Sequence, residues 1–201
     1  MEHSHLVWTR CTEWAGRHLT PSNLGKLAEY RDWLLTEAVK AGGIGPYETE
    51  RIDNRHIGDS LLFAGGFPIN PKHILDVGSG VGLPGIPLSI LMPDTRFSLL
   101  DRSGRRIDLM KRAVRVLDLE NVEVVLGDIA DWQTPVDGIV SRASLSPDQA
   151  VTSFNRILGP EGRAVVGGSW ASPPEVVGFD LMEVPGAVLD QRVWLLIMRP
   201  Q

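Results

Sequence analysis

Residues 73–88 read HILDVGSGVGLPGIPL, which places four glycines and two prolines within sixteen positions. The apolar pair Ile74-Leu75 precedes the glycines, and residues 86–88 continue with Ile, Pro and Leu. This order predicts a strand, a flexible loop and the start of a helix. Glycine leaves no side chain in the way, so a loop of this kind is typical of a site where the backbone closely approaches a ligand.

After residue 72, apolar runs typical of strands alternate with segments of helical pattern. The predicted strands cover residues 73–77, 97–100, 122–126, 138–141, 164–166, 181–184 and 193–198. The predicted helices between the early strands cover residues 84–91, 103–117 and 147–158. This alternation favours an α/β fold with a mostly parallel sheet covered on both faces. The last two strands, joined by a short polar connection around Asp190 and Gln191, are expected to form an antiparallel pair at one edge.

The first 70 residues have a purely helical pattern. It covers residues 5–19, 20–41 and 50–64, and the glycine-rich stretch AGGIGP, which begins at Ala41, interrupts it. We therefore expect residues 1–70 to form an N-terminal helical cap within the same domain as a ligand-binding core at residues 71–201. A length of 201 residues is ordinary for one domain.

The composition is that of an ordinary globular protein, with 43% hydrophobic and 22% charged residues. The single cysteine, Cys11, excludes an intrachain disulfide and fits a reducing compartment. No run approaches the ~18 apolar residues of a transmembrane helix, and the N-terminal sequence lacks the pattern of a signal peptide. We expect a cytoplasmic monomer without a membrane partner. The five histidines show no metal-ligand spacing, so no metal is expected.

The net charge of −5 is unevenly distributed. Residues 96–115 carry seven basic and two acidic side chains, a net charge of +5, whereas residues 116–201 carry five basic and twelve acidic side chains, a net charge of −7. On the predicted helix 103–117, Arg105 and Arg112 project from the face opposite the apolar residues. Two interpretations stay open, because this face could be simply solvated or could contact nucleic-acid phosphates.

Acidic residues recur at the ends of three successive predicted strands. Asp76 lies two residues before Gly78, Asp101 follows FSLL, and Asp128 follows VEVVLG. Residues 80–85 also satisfy G-x-G-x-x-G, a weak fingerprint of dinucleotide sites. However, a carboxylate at position 76 would repel a pyrophosphate and suits a cationic amino-acid group, directly or through water. Asp101 could accept hydrogen bonds from ribose hydroxyls, and Asp128 from the adenine amine. The pattern favours S-adenosylmethionine (SAM), although each acid alone could equally be a solvated strand end or a helix cap.

Several segments resemble the motifs of a known enzyme family. Four segments resemble the successive motifs of class I SAM-dependent methyltransferases. They are ILDVGSGVGLPGIPLSI (74–90), FSLLDRSGRRIDLMK (97–111), NVEVVLGD (121–128) and IVSRAS (139–144). Two segments, RHIGDSL (55–61) and GLPGIPLSI (82–90), indicate a more specific family. They resemble the ribosomal RNA small-subunit methyltransferase G family, also called glucose-inhibited division protein B. The resemblance extends from about Arg51 to about Gly168. It implies a Rossmann-like class I methyltransferase fold with SAM as cofactor, and guanine N7 of 16S ribosomal RNA, free or in the 30S subunit, as the methyl acceptor.

The resemblance implies cofactor contacts at Gly78, Leu83, Ile129, Ala130 and Arg142. Together with the glycine loop and the strand-end acids, the predicted cofactor-binding set is Asp76, Gly78, Gly80, Leu83, Asp101, Asp128, Ile129, Ala130 and Arg142. The residues predicted to contact RNA are Arg51, Arg55, His56, Arg105 and Arg112. Arg142 could instead be a surface salt-bridge partner, and His56 a helix-packing residue. Guanine N7 has a lone pair and no proton, so its methylation requires placement rather than a general base, and no catalytic residue is assigned.

The chain also departs from the family pattern. Leu83 stands where the family usually has an aromatic residue, Ala130 stands where it usually has a glutamate, and VVGGSW (165–170) has no match for its Lys-Gly pair after the fifth strand. Alternatives therefore stay open: a divergent methyltransferase acting on a small molecule or a protein, a noncatalytic SAM-binding or RNA-binding protein and, more distantly, an NAD-dependent dehydrogenase.

Overall fold

A seven-stranded sheet lies at the centre of the structure, a computed structural model that describes residues 2–168, 170, 172 and 174–200. The strands are β1 (His73–Val77), β2 (Arg96–Asp101), β3 (Val122–Leu126), β4 (Val136–Arg142), β5 (Leu158–Gly167), β6 (Asp180–Val184) and β7 (Val193–Met198). Their order across the sheet is β3-β2-β1-β4-β5-β7-β6. Strands β1 to β5 run parallel, whereas β7 lies between β5 and β6 and is antiparallel to both. The mostly parallel sheet and its antiparallel pair at one edge are confirmed.

Helices precede the sheet and connect its strands. The α-helices are α1 (Glu2–Trp14), α2 (Pro21–Trp33), α3 (Asp59–Leu62), α4 (Gly85–Leu91), α5 (Gly104–Val116), α6 (Pro147–Asn155) and α7 (Gly186–Leu189). Leu34–Ala38 and Ile52–Gly58 are π-helical, and Pro46–Arg51, Phe63–Gly66 and Ile129–Asp131 are 3-10 helices. Thr20 begins α2 with a reciprocal pair of hydrogen bonds between its own side chain and backbone and those of Asn23, which satisfies backbone donors at the helix start.

Several segments differ from the sequence prediction, and β5 begins at Leu158, six residues before its predicted start. The single helix predicted over residues 50–64 is instead a series of π-helical, α-helical and 3-10 turns. Apolar spacing predicts a helix but does not distinguish these closely related forms. The sequence predicts a short polar connection between β6 and β7, but the structure has the short helix α7 there. Asp190 follows α7 and turns the chain with a left-handed φ of 60°.

Hydrophobic cores lie on the two faces of the sheet. Ile74 of β1 packs into a large core with side chains of α1, α2, α4 and α5, whereas Leu75 packs into a second core with Phe154 of α6. Successive side chains of a strand point to opposite faces, so β1 contributes to both cores. Trp8 and Tyr30, from the first two helices, are fully buried in the large core. The N-terminal helices therefore share one core with the sheet.

The topology places a ligand crevice at the end of β1. Strand β1 pairs with β2 on one side and with β4 on the other, so the connections after β1 and β3 lead in opposite directions across the sheet. Ligands of open α/β sheets bind outside the carboxyl ends of the strands at this switch point. Among the described residues, no helix has the length and hydrophobicity to span a membrane, and no cluster of three or more His, Cys, Asp or Glu side chains is arranged to hold a metal.

Candidate functional site

A cavity of about 490 Å³ lies at the carboxyl ends of β1 to β4, and we call it the glycine-loop cavity. Its walls are residues 43–45, 77–81, 100–102, 127–129 and 142–145, together with Glu48, His56, Leu83 and Arg106. The sheet and its connections supply most of the wall, and the N-terminal helical region supplies the remainder. The predicted residues Gly78, Gly80, Leu83, Asp101, Asp128, Ile129, Arg142 and His56 all line it.

The glycine loop follows β1 with unusual backbone conformations. Gly78 and Gly80 have φ values of +72° and +65°, a region that favours glycine. A Cβ atom at Gly78 would lie 2.3 Å from the Cβ of Ser144, so the loops after β1 and β4 touch at this glycine. A Cβ at Gly80 would have no described neighbour within 4 Å, which fits a residue that lines the cavity. Gly78 therefore permits loop packing, and Gly80 presents bare backbone to the cavity.

Asp76 supports the loop from below and does not line the cavity. Its side chain is fully buried, and Oδ2 accepts hydrogen bonds from Ser79 Oγ at 2.6 Å and from the Gly85 backbone N–H at 2.8 Å. Burial raises the pKa of Asp76 to about 6, although both hydrogen bonds oppose the shift. The prediction that this carboxylate meets the cofactor is wrong for direct contact, because the loop folds over it.

Asp101 is the acid that faces the cavity. Its Oδ2 accepts a hydrogen bond from the Gly80 backbone N–H at 3.0 Å, and its Oδ1 accepts one from the Ser103 N–H at 2.9 Å. Arg106 Nη1 lies 3.5 Å from the same Oδ2. One carboxylate therefore fixes the glycine loop, the start of α5 and an arginine. A carboxylate has about four acceptor positions, so Asp101 retains capacity for ligand hydroxyls.

The third acid, Asp128, begins the 3-10 helix Ile129–Asp131. Asp128 Oδ1 accepts a hydrogen bond from the Ala130 N–H at 3.0 Å, and Oδ2 lies 3.5 Å from Arg102 Nη1. Ile129 is buried at the cavity wall. Ala130 is exposed and is not among the residues that line the cavity. The cofactor contact at Ala130 stays a prediction.

Arg142 connects the end of β4 to the N-terminal region. Its Nη1 lies 3.2 Å from Asp59 Oδ2 and from the Arg55 carbonyl oxygen, and the Arg142 and Asp59 side chains are only 17% and 19% exposed. Burial raises the pKa of Asp59, and the Arg142 guanidinium opposes that shift. Arg142 both lines the cavity and forms a largely buried ion pair, so the surface salt-bridge interpretation is wrong.

His56 is a neutral imidazole in the cavity wall. Burial lowers its pKa to about 4, with Arg142 acting in the same direction and Glu48 opposing it. Its Nε2 lies 3.4 Å from Glu48 Oε2, but the geometry is not that of a hydrogen bond, and neither ring nitrogen has a hydrogen-bond partner among the described residues. His56 therefore packs in the cavity wall with both ring nitrogens buried.

The remaining residues predicted to contact RNA do not line this cavity. Arg51 is exposed and lies 3.8 Å from Glu48, and Arg105 donates a hydrogen bond to the Ala41 carbonyl oxygen. Arg112 is exposed, and its Nε lies 3.4 Å from the Asp108 carbonyl oxygen. Arg55 lines a different cavity. Of the residues predicted to contact RNA, only His56 therefore lies at the glycine-loop cavity.

Sequence reasoning missed several residues that do line the cavity. In the sequence, Arg102 and Arg106 are recognised only as basic residues of the stretch 96–115. Their positions just after Asp101 indicate that they could line the same cavity. Glu48 and residues 43–45 come from a region interpreted only as a helix break. No pattern in the sequence relates that break to the glycine loop, because their approach depends on how α2 packs.

Comparison with known proteins shows the family to which the chain belongs. A family model described as rRNA small subunit methyltransferase G matches residues 23–171, about three-quarters of the chain. The chain belongs to the rRNA small subunit methyltransferase G family. The family match includes every wall of the glycine-loop cavity.

Curated relatives agree with this membership. Proteins named "Ribosomal RNA small subunit methyltransferase G" from Shigella flexneri and from Escherichia coli strain K12 / DH10B are 40% and 39% identical over 111 residues. Each match covers 54% of this chain and 53% of the relative, so the chain aligns with about half the length of these relatives.

Two solved structures have a similar fold at low identity. A precorrin-6y C5,15-methyltransferase from Geobacter metallireducens has a TM-score of 0.54 and 15% identity over 71% of this chain and 87% of its own. MtNAS in complex with MTA and tNA has a TM-score of 0.60 and 18% identity over 90% of this chain and 75% of its own. These two similarities concern the fold alone.

Proposed function

We propose that this protein is a SAM-dependent methyltransferase whose acceptor is guanine N7 of small-subunit (16S) ribosomal RNA. The observation that carries the proposal is the carboxylate of Asp101, which holds the glycine loop at the cavity of a chain that belongs to the methyltransferase G family. The curated relatives carry the name of a small-subunit ribosomal RNA methyltransferase. The acceptor is inferred from that membership.

The residues of the cavity fit the parts of SAM. Asp101 faces the cavity with free acceptor positions for ribose hydroxyls, and Asp128 provides a carboxylate for the adenine amine. The exposed backbone at Gly80 leaves room for the amino-acid part. Leu83 and Ile129 supply buried apolar walls. When bound, SAM supplies an electrophilic methyl group on a sulfonium.

The chain contributes placement rather than proton transfer. Guanine N7 carries a lone pair and no proton, so positioning it in line with the methyl group is the main requirement. His56 stays neutral at pH 7 because burial lowers its pKa to about 4, so it adds no positive charge to a site that must bind a sulfonium. Arg142 holds the backbone at Arg55 and His56 against the end of β4.

The test is methyl transfer from SAM labelled in its methyl group. The purified protein is incubated with 30S particles, naked 16S ribosomal RNA, a protein extract and a small-molecule extract. We expect label in ribosomal RNA, recovered as 7-methylguanosine after digestion. Asp101→Ala should abolish most of the transfer, whereas Asp94→Ala, an exposed residue before β2, should retain it.

Other outcomes separate the alternatives. Label only in the protein or small-molecule fraction would contradict the proposed acceptor and favour a divergent methyltransferase. SAM binding without transfer to any fraction would favour a noncatalytic protein. These controls are necessary because the chain departs from the family pattern at Leu83 and Ala130.

Three further features belong to this proposal. An acceptor in the ribosomal small subunit would place the protein in the cytoplasm. We also propose that it acts as a monomer and that residues 1–70 are a cap of the same domain as residues 71–201. The large core shared by the N-terminal helices and the sheet supports the last point.

A further inference from the structure

A second cavity, of about 290 Å³, lies beside the glycine-loop cavity, and we call it the tryptophan cavity. It is lined by Arg55, Asp59, Gly168, Trp170 and residues 191–194. Gly167 at the end of β5 pairs with Leu195 of β7, so the residues just after β5 and just before Leu195 meet at the carboxyl edge of the parallel strands. The tryptophan cavity therefore extends the edge of the sheet that carries the predicted cofactor site.

Two tryptophans from separate segments line this cavity. Trp170 packs against Gly168, where an added Cβ would lie 2.8 Å from the indole ring. Trp194, at the start of β7, is partly exposed. Its Nε1 is buried and has no hydrogen-bond partner among the residues that the structure describes. Both indole rings contribute to the wall of the cavity, and an indole ring can stack against a planar ligand.

The cavity also contains cationic groups. Arg55 lies in its wall, and Arg192 lies there with its Nη1 3.3 Å from Glu183 Oε1 in an exposed ion pair. Exposed ion pairs contribute little and exchange readily with other partners. Asp59, the acid of the lining, is already paired with Arg142. Aromatic side chains beside cations are the combination that binds unpaired nucleotides, because bases stack and phosphates meet positive charge.

The two cavities are separated by one ion pair. Arg142 lines the glycine-loop cavity, and Asp59, 3.2 Å away, lines the tryptophan cavity. A nucleotide held in the tryptophan cavity would therefore lie one side-chain pair away from the cofactor site. RNA recognition usually involves unstacked bases on aromatic side chains.

We propose that the tryptophan cavity binds an unpaired nucleobase of the acceptor RNA by stacking on Trp170 and Trp194. This inference rests on the proposed function, since it assigns the acceptor side of that site. Trp170 lies at the end of the family match, which covers residues 23–171, and Trp194 lies beyond it. Such a subsite also gives a role to residues that the cofactor site leaves unused.

The test measures RNA binding with a fluorescently labelled, unstructured RNA oligonucleotide. The double variant Trp170→Leu with Trp194→Leu should raise the Kd for RNA by roughly tenfold or more, because base stacking is lost. Trp132→Leu is the matched control, since Trp132 is partly buried and lines neither cavity. The Kd for SAM, measured by calorimetry, should be unchanged in all variants. An unchanged RNA Kd in the double variant would overturn the inference.

A conservative pair of variants keeps the test decisive if the leucine variants fail to fold. Trp170→Phe with Trp194→Phe retains aromatic surface, so RNA binding should stay within about threefold of wild type. The quenching of tryptophan fluorescence by bound RNA should decrease in this variant and persist in Trp132→Phe. Quenching that is undiminished in the double phenylalanine variant would contradict stacking at these positions.

Methyl transfer distinguishes failure of this inference from failure of the proposed function. Transfer to ribosomal RNA with a wild-type KM in the leucine double variant would overturn the subsite and leave the proposed function standing. Wild-type protein that binds RNA through the tryptophans but transfers no methyl group would contradict the proposed function alone. Wild-type protein that does not bind RNA in the presence of SAM would overturn the inference.

Discussion

The glycine-loop cavity and the tryptophan cavity are neighbours at one edge of the sheet, but they are built differently. At the first, carboxylates accept hydrogen bonds from backbone N–H groups: Asp101 in the wall does so from Gly80, and Asp76, buried beneath the loop, does so from Gly85. The second is lined by two tryptophans together with charged side chains, and Trp194 Nε1 has no hydrogen-bond partner among the described residues. A site fixed by backbone hydrogen bonds is preorganised for one ligand. A site of stacking surfaces tolerates different bases.

The Arg142–Asp59 pair between the cavities provides the largest expected effect. Arg142→Met leaves the largely buried Asp59 without its cation and should lower the free energy of unfolding by about 3–5 kcal/mol. Adding Asp59→Asn should restore part of this loss, because no charge is then buried. Urea unfolding of both single variants and the double variant measures the coupling. If the losses of unfolding free energy in the single variants simply add in the double variant, Arg142 and Asp59 do not stabilise each other, and the pair does not join the two cavities.

The pH dependence of the same variant sharpens the result. Burial already raises the pKa of Asp59, and loss of Arg142 removes an opposing effect. A carboxyl whose pKa is higher in the folded state is stabilising when protonated and becomes costly as the pH rises through that pKa. The penalty of Arg142→Met should therefore decrease as the pH falls from 7 toward 5. A penalty independent of pH would contradict this explanation.

Asp76 tests the support under the glycine loop. Its pKa of about 6 in the folded state lies above the ordinary value of 3.8, so its contribution to stability falls as the pH rises from 4 to 7. Asp76→Asn removes this titration, and its unfolding free energy relative to wild type should increase by about 2 kcal/mol over that range. Asp94→Asn, an exposed residue, controls for the change in net charge. A pH-independent difference would mean that Asp76 does not titrate as described.

The basic helix α5 provides the smallest expected effect. Arg105 is already bonded to the Ala41 carbonyl oxygen, whereas Arg112 is exposed. Arg105→Gln with Arg112→Gln should therefore remove about one phosphate contact and flatten the salt dependence of RNA binding by roughly 0.7–0.9 logarithmic units. The matched pair Arg102→Gln with Arg106→Gln, at the glycine-loop cavity, should also weaken SAM binding. An unchanged salt dependence in Arg105→Gln with Arg112→Gln would mean that this face of α5 is only solvated and does not contact RNA.

Much of the sheet could be predicted because its signals are local. Strands at residues 73–77, 122–126 and 193–198 have the predicted bounds, since apolar runs between turn residues mark buried strands clearly. The glycine loop and Asp101 were also identified correctly as parts of one cavity. The region 46–66 was predicted less well, because π-helical and 3-10 turns share the apolar spacing of an α-helix.

The errors at the site have geometric causes. Asp76 and Asp101 both stand near strand ends, but Asp101 is the last residue of β2 whereas Asp76 precedes the last residue of β1 and lies under the loop. A sequence pattern does not reveal which acid the loop covers. Trp170 and Trp194 line the same cavity because β7 pairs antiparallel with β5, and local patterns do not specify such long-range pairing.

The central claim, that the glycine-loop cavity binds SAM through Asp101, is tested most directly by calorimetry. Wild-type protein should bind both SAM and S-adenosylhomocysteine. Asp101→Ala should weaken binding by up to about 3 kcal/mol, roughly 100-fold, because ligand hydroxyls and the Gly80 N–H lose their acceptor. Asp94→Ala should bind like wild type. Folded wild-type protein that gives no binding heat with either ligand at several temperatures, or equal affinity in Asp101→Ala, would contradict the claim.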